Sequence, residues 1–114
     1  MKAENLKVIE SLPPSTLCRR INFEHAQVVP GIVPKTWFLI VTGKKPWASM
    51  KVELQPLIYI QQPDYWEIEV VGCLSGISLP YEVPYSVWLD ITHVLGKQGI
   101  EVVGANKKER IKVP

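Results

Sequence analysis

The side chains most able to do chemistry here are a serine between glycines, two cysteines, two histidines and a glycine-lysine-lysine run. Ser75 sits in Gly72-Cys73-Leu74-Ser75-Gly76. A nucleophile elbow places one residue between its first glycine and the serine and then enters a helix; here two residues intervene and no helical pattern follows, so Ser75 reads as a loop serine. Cys18, His25, Cys73 and His93 make up a Cys2His2 count. Structural zinc sites draw their ligands from close pairs, and none of these four has a near partner, so no metal and no cofactor is expected. Asp90 precedes His93 by three residues and could orient it as a general base, although the same spacing also suits a turn. Gly43-Lys44-Lys45 lacks the second glycine and the following helix of a phosphate loop and reads as a hairpin tip. With each catalytic pattern incomplete, the chain is expected not to be an enzyme.

The elements that would position these residues are strands. Apolar and polar residues alternate in short runs from Leu17 to Val113, with prolines and glycines between the runs, which is the pattern of half-buried strands. The runs are Leu17 to His25, Thr36 to Thr42, Met50 to Ile60, Tyr65 to Leu74, Tyr85 to Ile91, Ile100 to Val103 and Arg110 to Val113. Thr36 to Thr42 is apolar on both faces, as a central strand covered on both sides would be. Pro56 cannot donate to a ladder, so it signals an edge position, a bulge, or two short strands meeting. The Met50 and Tyr65 runs look like a hairpin, with Lys51 and Glu53 facing Glu67 and Glu69. Ala3 to Leu12 fits a short amphipathic helix or a strand, ended by Pro13 and Pro14.

These features predict an all-β chain: a small antiparallel β-sandwich or barrel of six to seven strands, within a single domain over 1–114 whose first 14 residues form a separate N-terminal segment, a short helix being one form of it. Cysteine, tryptophan and cysteine occur at Cys18, Trp37 and Cys73 in the order seen in immunoglobulin domains. The tyrosine expected two residues before the second cysteine is Val71 instead, so that kinship does not follow.

A chain of 114 residues is long enough to bury a core without staples. Its formal net charge of +2 gives no strong global field for steering nucleic acid or an anionic membrane. No apolar h-region and no 18-residue apolar run is present, so a cytoplasmic protein without membrane insertion is expected. The two cysteines are expected as buried thiols.

Function must then rest on surfaces. Acidic residues dominate Lys51 to Asp90 and basic ones dominate Lys97 to Pro114, which suggests opposite potentials at opposite ends. Lys44, Lys45 and Trp47 form one candidate contact patch, Lys107, Lys108, Arg110 and Lys112 another, and Trp88 is a further exposed platform. The reading these support is a non-catalytic binding or protein–protein interaction module, such as an accessory subunit, existing as a monomer or weak homodimer with another protein as its partner. The alternatives are a small-molecule-binding β-barrel with a mouth lined by Trp37, Tyr59, Trp66 and Trp88, and an OB-like single-stranded nucleic-acid-binding domain. Phe38 and Ile40, with Leu57 and Val71, are expected to be covered by a second sheet.

Overall fold

The computed structural model describes residues 16–75 and 80–114. The N-terminal segment, read as a helix or strand, and the side chain of Ser75 lie outside the described residues. The described residues form eight strands: β1 (Thr16–Arg20), β2 (His25–Pro30), β3 (Trp37–Lys45), β4 (Lys51–Pro56), β5 (Tyr65–Ser75), β6 (Val83–Asp90), β7 (Gly99–Val103) and β8 (Lys108–Lys112). They form a five-stranded and a three-stranded sheet, so the chain is all-β. Among the described residues there is no helix long and apolar enough to cross a membrane.

β5 organises the larger sheet. β4 pairs along one of its edges, from Ile68 to Cys73, and the other edge is shared end to end by β7, from Tyr65 to Glu69, and β1, from Val71 to Ser75. β8 extends the sheet beyond β7. The β5–β7 pair is parallel, unlike the antiparallel sheets expected. A parallel pair needs a long crossover, and here β6, a strand of the other sheet, supplies it without a helix. In the smaller sheet β3 is central, with β2 and β6 on either side. Leu39 and Val41 of β3 are fully buried, whereas Phe38 and Ile40 face outward and are only half-buried. The expectation that a second sheet covers Phe38 and Ile40 is therefore incorrect: the second sheet packs on the opposite face of the strand.

Three strand prolines occupy equivalent positions. Leu57 N–H donates to the Glu67 carbonyl, Gly31 N–H to Thr36, and Ile91 N–H to Trp37. Hydrogen-bonded pairs recur at every second residue, so Pro56, Pro30 and Pro84 all fall in the intervening pairs, whose amide positions point away from the partner strand. Each costs the ladder nothing there, and each blunts an otherwise open edge.

The run from Leu17 to His25, expected as one strand, is two strands in different sheets. The alternation persists through the crossing because Ile21 and Phe23 both enter the core that the sheets share. The crossing backbone is held from both sides. Ile21 N–H donates to Val70 O and Glu24 N–H to Thr42 O, at 3.0 and 2.8 Å. The Tyr85 hydroxyl donates to Asn22 O at 2.8 Å, and Ala105 N–H to Ile21 O at 3.0 Å. The Asn106 side chain imitates a strand, accepting from Phe23 N–H at 3.2 Å and donating to Phe23 O at 2.9 Å. Gly104 passes so close that a Cβ there would stand 2.5 Å from the Phe23 ring, so only glycine fits.

Cys18 and Cys73 are joined in a disulfide, which corrects the expectation of buried thiols. Cys18 is exposed and Cys73 half-buried. Because Ile21 and Val70 form a hydrogen-bonded pair, Cys18 and Cys73 form a non-hydrogen-bonded one, where facing side chains come closest, and their Cα atoms are 4.1 Å apart. Both cysteines belong to the same sheet, whereas the immunoglobulin bridge ties two sheets together.

Candidate interaction surfaces

Asp90 and the two cysteines, among the candidates for chemistry, are held in structural contacts, with His93 acting on the Asp90 carboxylate through its charge as a minor effect. The Asp90 carboxylate accepts a hydrogen bond from Thr92 N–H at 3.0 Å, and bonds from Thr92 are the main cause of a pKa held below the ordinary aspartate value. Thr92 in turn accepts from Trp37 N–H at 3.1 Å through its hydroxyl oxygen. Asp90 thus closes a turn after β6. Cys18 and Cys73, consumed in their disulfide, cannot act as thiolate ligands. No group of three or more metal-ligating side chains converges among the described residues.

The two basic patches are each divided. Lys45 turns back to donate to Met50 O at 2.8 Å, and Trp47 packs against the core, so of that patch only Lys44 is open to solvent. Lys107 donates to Glu24 O at 2.8 Å and lies 4.9 Å from the centre of the Phe23 ring, completing the clamp on the crossing segment. Lys108, Arg110 and Lys112 alternate along one exposed face of β8. Within that row Arg110 bonds Glu101 at 2.9 Å and covers the Tyr65 ring at 4.7 Å.

Acidic and basic segments are neighbours rather than opposite ends. The register pairs β5, of the acidic segment, with β7, of the basic one, and the outward face of that sheet also carries two ion pairs: Arg20 of β1 bonds Glu69 of β5 at 2.7 Å, and Arg110 of β8 bonds Glu101 of β7. The expected facing of Lys51 and Glu53 with Glu67 and Glu69 is corrected by the register, which sets Lys51 opposite Cys73 and Glu53 opposite Val71. Lys51 pairs instead with Glu53 on its own strand at 3.3 Å, and that contact is the main cause of the lowered Glu53 pKa.

Of the aromatic quartet of the barrel-mouth alternative, Trp88 is set apart from the others. Tyr59 and Trp66 meet edge to face at 5.2 Å, and the Trp66 indole donates to Leu57 O. Trp37 packs against the core, while Trp88 lies on the opposite face of the same small sheet and is 69% exposed.

That outer face of the small sheet is the most coherent surface. The register sets Val29, Phe38 and Asp90 in one row, Gln27, Ile40 and Trp88 in the next, and His25, Thr42 and Ser86 in a third. Phe38 and Trp88 lie diagonally across these rows with ring centroids 5.6 Å apart, edge to face. The result is an apolar centre of Val29, Phe38, Ile40 and Trp88 with a polar border of Gln27, His25, Thr42, Ser86 and Asp90. Exposed Ile32 and Val33 continue the apolar character in the loop between β2 and β3. Trp88 stands out in the sequence by residue type, whereas Val29 and Phe38 become its companions only through the cross-strand register. Comparison with protein-family models, curated proteins and solved structures finds no match to this chain.

Proposed function

We propose that this protein is a non-catalytic interaction module that recognises another protein through the outer face of its three-stranded sheet, with Trp88 as the central contact. The observation that carries this reading is the exposed tryptophan set among Val29, Phe38 and Ile40 inside a polar border. Aromatic anchors inside a polar rim are the usual anatomy of a protein interface, and tryptophan is enriched among the residues that dominate binding energy. The catalytic alternatives have less support, since Asp90 is engaged by Thr92 and both cysteines are bridged. The nucleic-acid alternative also has less support, since Lys45, Lys107 and Arg110 are turned toward groups of their own chain.

An exposed disulfide persists in an oxidising compartment. The bridged form is therefore better suited to such a setting than to the cytoplasm, the expectation for which rested partly on free thiols. We further propose a monomer or weak dimer, with the small sheet's outer face kept for a different chain. The test is Trp88→Ala in a binding assay against material from the native source, with Ile58→Ala, an exposed apolar residue outside that face, as the control. Loss of the captured partner with the first variant only is the expected result.

A further inference from the structure

Edge strands differ in how they are protected. Among the described residues, β2, β4 and β6 each carry a proline whose missing amide would have pointed outward, and β8 carries a cation at every second position. β1 has no proline, and its two cations, Arg19 and Arg20, sit together at one end instead of alternating along the strand. Its backbone pairs with β5 through Leu17, Arg19 and Ile21, so the amides and carbonyls of Cys18 and Arg20 point away from the sheet, and no described strand meets them. The Cys18–Cys73 bridge fixes this strand to β5, so an incoming chain would meet an edge already ordered.

Beside this edge lies a cleft of about 490 Å³, lined by Arg19, Arg20, Lys44, Glu82, Pro46 and Ala105. Arg20 is neutralised by Glu69, whereas neither Arg19 nor Lys44 forms an ion pair among the described residues. Glu82 is the single acidic group of the lining. A strand edge offers main-chain hydrogen bonds to an extended peptide, and the side chains around it select the sequence. Two unpaired cations select acidic residues. We propose that the free edge of β1 and the adjoining Arg19/Lys44 cleft dock an acidic, extended peptide segment of a partner protein. The inference rests on residues other than those of the small sheet's outer face, so it survives if that surface proves inert.

The experiment uses the full disulfide-bonded chain and a fluorescent eight-residue probe in which glutamate alternates with threonine and valine. A second probe has the same sequence with alternate amides N-methylated, and a third is a single-stranded oligonucleotide of matching charge. The expected result is that Arg19→Ala and Lys44→Ala each weaken binding of the first probe by roughly 2- to 5-fold, the range of exposed charge pairs, and that Glu82→Gln tightens it by a similar factor. N-methylation abolishes binding, and the amides of Cys18 and Arg20 become slower to exchange on addition of the first probe. Variants are compared at equal thermal midpoint, so a folding defect cannot imitate the result. Equal binding of the N-methylated peptide or the oligonucleotide would overturn the proposal in favour of charge alone. Failure of the first probe to bind, or unchanged affinity in all three variants, would overturn it outright.

Discussion

Replacing both Cys18 and Cys73 with serine should lower stability by about 4 kcal/mol. The bridge spans a sequence separation of 55 residues, and it joins β1 to the central strand of the larger sheet. Cross-linking removes loop-closure entropy from the unfolded chain, by about 2.1 + 1.5R ln n cal/mol/K, which for this loop is about 14 cal/mol/K or roughly 4 kcal/mol at 25 °C. No cavity cost adds to this, because Cys18 is exposed. For a chain of 114 residues the unfolding entropy is about 240 cal/mol/K, so the thermal midpoint should fall by roughly 15 °C. Urea unfolding of the wild type, the double variant and the wild type with a dithiol reductant measures the effect. The unbridged chain should also show a larger dependence on urea, since its unfolded state exposes more surface. A loss below about 1 kcal/mol, with the reductant equally harmless, would refute the reasoning and mean that the bridge constrains little that the sheet does not already hold.

Asn106→Ala should cost about 2 to 3 kcal/mol in the same assay, because it removes two bonds to the Phe23 backbone and leaves both groups unpaired in a partly buried site; a change within 0.5 kcal/mol, roughly the effect of an ordinary surface substitution, would show the clamp to be ornamental. Gly104→Ala should be destabilising through its clash with the Phe23 ring, and a neutral result by thermal melting would show that the loop yields freely. Burial, and secondarily the charge of Glu24, pushes the Tyr85 phenol up to about 12. A folded pKa above the unfolded value favours the neutral phenol, so this stability is complete below pH 10 and is lost as pH rises through 12. Tyr85→Phe should therefore flatten the decline in urea stability between pH 10 and 12, and parallel declines would contradict this.

Much of the fold was legible because burial on one face writes a period of two into a strand. The β4–β5 hairpin follows from alternation of Val52 and Leu54 with Lys51 and Glu53, and the edge position of β4 follows from Pro56. The same signal concealed the crossing at Ile21 to Glu24, since a chain passing between two sheets over one core keeps the period while changing partners. Residue chemistry could not give the parallel β5–β7 pair either, for the crossover runs through β6 and leaves no helical pattern. Cysteine count argued for thiols because two cysteines make no framework; pairing became visible only when the register set them opposite each other. The candidate surface was half legible. Trp88 stood out by type, but a lysine's role depends on what lies within reach of its amine, and Lys45 and Lys107 reach backbone carbonyls of their own chain.

The central claim is that the outer face of the three-stranded sheet is where a partner binds. A photoreactive amino acid at position 88, the most exposed apolar position of that face, and another at position 97, an exposed site elsewhere, test it in the native cellular setting. Trp88 contributes little to folding beyond its edge contact with Phe38, worth roughly 0.5 to 1.5 kcal/mol, so the substituted protein remains folded. The account predicts a discrete cross-linked adduct from position 88, abolished by adding Phe38→Ala, and none from position 97. Equal adducts from both positions, or an adduct from 97 alone, would contradict it.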